Sequence, residues 1–381
     1  MSEPARRRST WRPLIAGVLV LSLVAACGGD RNGASSPPGS AAPSPGGTSA
    51  APSAGTGSGA PSGPSSGGPG EFTNPVIDRN FADPFVLKVD DEYVAYATGN
   101  LTFNIQVTTS PDLVSWSRLR EALPRLPNWQ PSSKGLTWAP EVLATDDGFV
   151  MHYTARDVQR GRQCLAVAVA DEATGPFVDD SDGPLLCQYE LGGSIDSSPF
   201  TDADGKRYLL WKNDGNCCGI RTRIYLQPLA ADGRSVTGKA IDLGLVNDAP
   251  WERDLIEAPT LLLHEGTYYL FYSANGYDTR NYAVGYATSK KLTGPYEDAP
   301  ENPILQTTAP PGSPAGPAAG PGHQSIVVDD DGELWLAYHA WDIALVGDRL
   351  GGRRALWLDE LVFEGGKPVI KGPDIGPQPV P

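Results

Sequence analysis

Positive charge is scarce in this chain: 30 Lys and Arg stand against 45 Asp and Glu, a formal net charge of −15 over 381 residues. So acidic a body repels nucleic acid and anionic lipid, which leaves neutral ligands as the natural partners. Long apolar runs are also missing. The one near the N-terminus, Leu14 to Val24, falls short of the ~20 residues needed to span a bilayer. Helical periodicity is scarce after Glu71, which argues against a helical fold. The five cysteines never show the two-pair spacing that zinc prefers, so a zinc centre is disfavoured.

What is present divides the chain into three parts. Met1 to Cys27 reads as an export signal, with Arg6, Arg7, Arg8 and Arg12 ahead of the apolar run. It ends in Val24-Ala25-Ala26-Cys27, which resembles a bacterial lipobox whose cysteine carries the lipid. The expected location is therefore outside the cytoplasm, lipid-anchored through Cys27 or secreted. Residues 28–70 are nearly all Gly, Ser, Ala, Pro and Thr, a composition that cannot bury enough apolar surface to fold. This is a linker. The fold is expected in residues 71–381, as a monomer that meets a membrane only through its anchor. Cys164, Cys187, Cys217 and Cys218 form an even set, which in an exported domain favours disulfides. Of the three pairings, Cys164–Cys187 with a vicinal Cys217–Cys218 is favoured, because the first two lie in neighbouring strand candidates.

Five segments can be laid over one another: ADPFVLKVDDEYVAYAT, APEVLATDDGFVMHYTA, SSPFTDADGKRYLLWKN, APTLLLHEGTYYLFYSA and HQSIVVDDDGELWLAYHA. Each is a strand, a tight acidic or glycine turn and a second strand rich in aromatics. They recur about every 55–65 residues, a spacing that suggests propeller blades. A second signature follows several of them, for example VTTSPDLVSW and GYATSKKLTGPYED, and supplies two outer strands. The predicted fold is all-β, a five-bladed propeller of four-stranded antiparallel blades, with a two-sheet sandwich as runner-up.

In a propeller the first strand of each blade lines the central channel, so residues at the starts of these strands converge at one end. Those positions hold Asp83, then Trp138 with Glu141, then Asp196, Glu257 and His323. An isolated acid here is usually a turn former or a solvated charge, but an ionisable group in every blade is not expected from structure alone. Trp138, Trp211 and Phe103 are candidates for stacking on the faces of a neutral ligand. Trp116, Trp335 and Trp357 are expected to fill the spaces between blades. The loop WKNDGNCCG, Trp211 to Gly219, is expected at the funnel rim, stiffened by its vicinal cysteines.

Ala82-Asp83-Pro84-Phe85, Trp138-Ala139-Pro140-Glu141, Ile195-Asp196-Ser197-Ser198-Pro199-Phe200, Glu257-Ala258-Pro259 and Gly322-His323-Gln324-Ser325-Ile326 together resemble glycoside hydrolase family 43, in order over nearly all of residues 71–381. Many members have Asp where Glu141 stands, and Pro where Ser197 stands. The resemblance implies a five-bladed propeller and an inverting glycosidase that needs no cofactor for its chemistry. Asp83 would be the general base and Glu257 the general acid, with Asp196 orienting the acid and tuning it. Inversion needs one carboxylate to activate water and one carboxylic acid to protonate the leaving oxygen. Substrate contacts are expected from Trp138, Glu141, Phe103, Trp211, His323 and Arg353. Arg353 and its neighbour Arg354 lie on the last blade, within reach of the funnel or of surface acids. His323 either approaches an axial Ca2+ or Na+ ion through water or bonds to the backbone of its own blade.

The expected substrate is a neutral oligosaccharide or polysaccharide containing arabinose or xylose, and the leading activity is α-L-arabinofuranosidase. β-Xylosidase and endo-arabinanase share the same carboxylates; some xylosidase forms depend on a C-terminal β-sandwich that is not seen in this sequence. A non-catalytic sugar-binding lipoprotein is the alternative of another class, and it would be expected to lack one of the three acids.

Overall fold

Apolar strands broken by Asp-Asp, Asp-Gly and Glu-Gly turns do pair as hairpins in the computed structural model, which describes residues 70–253, 255–308 and 318–381. The export signal, Cys27 and the linker as far as residue 69 lie outside the described residues.

Five antiparallel sheets form a five-bladed propeller. The first blade comprises Phe85–Val89, Glu92–Ala97, Gln106–Ser110 and Arg120–Glu121. The second comprises Thr137–Thr145, Gly148–Asp157 and Arg162–Ala170, with Val178 bridging Val169 where a fourth strand would run. The third is built from Ser194–Thr201, Arg207–Asn213, Arg223–Pro228 and Ile241–Val246. The fourth uses Ile256–His264, Thr267–Ala274, Ala283–Ser289 and Glu297–Asp298. The fifth uses Ala318–Val328, Leu334–Asp342, Arg354–Glu364 and Lys367–Ile370. The first strand of each blade touches the first strands of both neighbours, so these five strands line the axis.

The core lies between blades rather than at one centre. Val86, Tyr93, Trp335 and Leu356 join the fifth blade to the first. Tyr96, Val142 and Tyr153 join the first to the second. Leu165, Leu209 and Trp211 fill the next space. Leu210, Ile256 and Tyr272 join the third blade to the fourth, and Tyr269, Tyr338 and Trp357 join the fourth to the fifth. Fully burying one such large side chain contributes roughly 2–3 kcal/mol, so each seam is held by several terms of that size.

The ring closes without a shared blade. Residues 74–81 run beside Arg354–Glu364, where Val76 N–H donates to the Leu356 carbonyl and Leu356 N–H to that of Ile77. Asn74 imitates a strand residue: its Nδ2 donates to the Leu358 carbonyl at 2.8 Å and its Oδ1 accepts Leu358 N–H at 2.9 Å. A two-residue ladder between Glu71–Phe72 and Gln378–Pro379 ties the two ends together.

Candidate active site

Each inner strand begins with the same defect. Asp83, Ala139, Asp196, Ala258 and His323 all have positive φ, between 43° and 56°. Non-glycine residues rarely adopt this conformation, and each instance costs on the order of 1 kcal/mol or more. The pairing register breaks at the same place, between Trp138 and Glu141 in the second blade and between Glu257 and Thr260 in the fourth. Pro84, Pro140 and Pro259 follow three of the kinks; lacking an N–H, they sit naturally where the ladder is already interrupted. Just before the fifth kink glycine is needed for space: a side chain at Gly322 would run into the Tyr282 ring.

A bulge lifts the kinked residue's N–H out of the ladder, and a buried N–H needs another acceptor. The second strand of the preceding blade, or in the first blade the residue just after it, supplies the acceptor. Thr98 Oγ1 accepts from Ala139, Thr154 Oγ1 from Asp196, Ser273 Oγ from His323 and His339 Nδ1 from Asp83, at 2.8–3.2 Å. The position equivalent to these in the third blade is Lys212, which pairs with Ile195 as Ser273 pairs with Glu257. An ammonium cannot accept. Ala258 N–H donates instead to Asp196 Oδ2, at 3.2 Å.

The kinks bring three buried carboxylates together at one end of the channel. Asp83 Oδ1 lies 2.8 Å from Arg354 Nη1 and 3.3 Å from His323 Nδ1, while Oδ2 accepts from Thr98 Oγ1. Burial alone would raise its pKa, but the Arg354 guanidinium and the imidazole of His323 reverse that and hold it well below the ordinary carboxylate range. Asp196 is the opposite case. Burial pushes it up to about 6, with Glu257 and Asp83 adding repulsion that His323 and Lys212 only partly offset. Glu257 Oε1 accepts from Tyr282 Oη at 2.8 Å, and Oε2 faces Lys212 Nζ at 3.3 Å. Partly buried Glu141 is raised well above its usual value by burial, opposed by a Ser198 hydrogen bond and reinforced by Asp196. Burial lowers His339 to about 4 against the pull of Asp83, so the ring is neutral at ordinary pH, with Nδ1 accepting the Asp83 N–H.

Residues 72–368 match the family model described as glycosyl hydrolases family 43. The chain belongs to that family.

Other relatives agree with the assignment. A thermostable family-43 glycoside hydrolase of known structure superposes with a TM-score of 0.70 at 31% identity, over 81% of this chain and 99% of that one. A β-xylosidase of Bacillus subtilis is 31% identical over 280 residues, 70% of this chain and 49% of its own length. A xylan 1,3-β-xylosidase of a Vibrio species is 32% identical over 61% of this chain and 43% of its own. The family 43 chain thus spans about half the length of these two curated relatives.

The other sequence candidates divide between the family 43 site and the scaffold. His323 joins the carboxylates, and Trp138 and Phe103 are partly exposed near the start of the second blade and on a loop of the first. Trp211 does not reach the site: it is fully buried between blades, stacked on Tyr225, with Nε1 bonded to Gln188. Arg353 does not reach it either, since its guanidinium pairs with exposed Asp78 on the surface. Its neighbour Arg354 occupies the site. Tyr277, unremarked in the sequence, lays its ring over the Arg354 guanidinium at 4.7 Å and keeps 38% of its surface exposed. Disulfides join Cys164 to Cys187 and Cys217 to Cys218. Among the described residues no three His, Cys, Asp or Glu side chains converge as a metal-binding group, and His323 faces Asp83. No step below uses an ion.

Proposed function

We propose that this family 43 hydrolase is an inverting exo-glycosidase that removes terminal α-L-arabinofuranose from arabinan or arabinoxylan fragments. The observation that carries the reading is the gathering of three buried carboxylates, Asp83, Asp196 and Glu257, each with different partners. Asp83 is held ionised by Arg354, as a base must be, while Glu257 stands among hydroxyl and ammonium donors on the neighbouring strands. Asp83 takes a proton from water, whose oxygen attacks the anomeric carbon as the bond to the leaving oxygen breaks. Glu257 gives its proton to that oxygen. Asp196 accepts the Ala258 N–H and so fixes the backbone that carries Glu257. Trp138, Phe103 and Tyr277 offer partly exposed rings for packing against sugar C–H faces, and Glu141 and His323 stand close enough to hydrogen-bond hydroxyls.

β-Xylosidase is the second reading, favoured by the names of the two relatives above. A panel of nitrophenyl α-L-arabinofuranoside, nitrophenyl β-D-xylopyranoside and dyed linear arabinan separates these activities. Preferential release from the first supports the proposal. Preference for the xyloside or the polymer replaces the sugar or the mode of attack, and binding without release from any of them defeats the enzyme reading. The export signal and Cys27 support a lipid-anchored position outside the cytoplasm. Labelling of expressing cells with a clickable palmitate, lost in Cys27→Ser, tests that placement.

A further inference from the structure

Four blades place an acceptor at one equivalent position, and the third places a cation there. Thr98, Thr154, Ser273 and His339 each cap the kinked N–H of the next blade. Lys212 takes the same place in the ladder but leaves that N–H to Asp196. It is also fully buried, and burying an ammonium is costly unless it is paired. A scaffold role would have been served by threonine or serine, as in the other blades. The cation therefore calls for a local reason, and its partners supply one: Glu257 Oε2 at 3.3 Å and Asn216 Oδ1 at 2.7 Å.

Asn216 belongs to the short turn Gly215–Cys218, whose last two residues are the vicinal disulfide. A disulfide between adjacent residues closes no long loop, so by the chain-entropy argument it does little for global stability. Its effect is confined to the turn. There Ile220 N–H donates back to the Gly215 carbonyl, and Cys217 Sγ rests against the Gly192 carbonyl. The order is thus a bridged turn, an amide oxygen, a buried ammonium and the carboxyl of Glu257.

We propose that Lys212, held by Asn216 on the disulfide-locked turn, is a positioning residue for the acid in the reaction proposed above. Resting on that reading, it has two tasks. It fixes the orientation of the Glu257 carboxyl together with Tyr282, and it meets the negative charge left on Glu257 once the proton has passed to the leaving oxygen. Both matter most when the leaving group is poor, because an activated one needs little proton.

The test compares Lys212→Met in the full chain on two glycosides of the same sugar, an unactivated disaccharide and a dinitrophenyl glycoside. The expected result is a loss of kcat of about 100-fold on the disaccharide, a far smaller loss on the aryl glycoside and little change in KM. Asn216→Leu and the pair Cys217→Ser/Cys218→Ser alter exposed residues and leave the core intact; they should show the same split in weaker form. In a Glu257→Gln background Lys212→Met should add little on the disaccharide. Equal losses on both glycosides, in Lys212→Met and in Asn216→Leu, would overturn the inference. If Glu257→Gln itself cleaves the disaccharide at the wild-type rate, the acid assignment fails instead, whatever the lysine variants do.

Discussion

Asp83, at the channel mouth, and Asp359, at the seam where the fifth blade meets the N-terminal segment, are both buried, and their pKa values are driven in opposite directions. Asp83 faces a guanidinium and two imidazoles, and its pKa is held well below the ordinary range. Asp359 is surrounded by neutral donors: the Tyr338 hydroxyl, Asn74 Nδ2 at 3.3 Å and the Asp374 N–H at 3.2 Å. Burial pushes it up to about 7, and those hydrogen bonds only partly restrain it. Depth does not separate the two. A buried carboxylate that must stay ionised needs a cation in contact, whereas one that completes a hydrogen-bond network does not.

The comparison is broken most forcefully by crossing one substitution at each place. Asp83→Asn should lower kcat/KM of the folded enzyme by about 1,000-fold or more, a loss of turnover that its cost in stability, from leaving Arg354 unpaired, does not explain. Asp359→Ala should leave the turnover of folded enzyme intact and cost about 2–3 kcal/mol, since the Tyr338 hydroxyl and the Asp374 N–H lose their acceptor. Steady-state rates and urea titration of both variants give the four values. An Asp359→Ala enzyme that is stable but inactive would erase the distinction between mouth and seam.

A smaller effect is the pH dependence of stability, where the two carboxylates act with opposite sign. The folded pKa of Asp359, about 7, lies above the unfolded value of about 3.9. The native state keeps that proton longer, so this contribution to stability falls as pH rises from about 4 to 7. Asp83 is depressed, so its contribution is present above its unfolded value and lost as pH drops through the folded one. Thermal melts between pH 5 and 8 should show a decline with rising pH that Asp359→Asn makes shallower. An unchanged slope would mean that Asp359 is not the titrating group.

Smaller again is the acid limb of the activity profile. With Asp83 ionised throughout the working range, the carboxylate cluster should lose activity on acidification with an apparent pKa of about 6, set mainly by Asp196. Asp196→Asn should retain a low activity without that limb. Persistence of the limb in the variant would assign it elsewhere.

How far the sequence could be read follows from the geometry of strands. The blades were legible because each contributes the same two-strand pattern, and Asp83, Asp196 and Glu257 because strand starts must converge on the axis. What escaped was phase. Neighbouring residues on a strand face opposite sides, and nothing in the sequence said which side of Trp211-Lys212 or of Arg353-Arg354 looks inward. In both pairs the second residue faces the site: Trp211 fills the space between blades and Arg353 pairs at the surface, while Lys212 and Arg354 meet the carboxylates. The shared kink of Asp83, Ala139, Asp196, Ala258 and His323 was equally hidden, because five different contexts adopt one backbone conformation and no residue type marks it. His339 escaped for a related reason, since an acceptor for a displaced N–H is noticed only once the displacement is known.

The central claim, that Asp83 acts as a base on water while Glu257 acts as the acid, is tested most directly by the stereochemistry of the first product. Proton NMR in the opening minutes, before mutarotation, should show the released sugar with the anomeric configuration opposite to that of the substrate. A first product with retained configuration would mean that a carboxylate attacks the sugar itself, and would contradict the account.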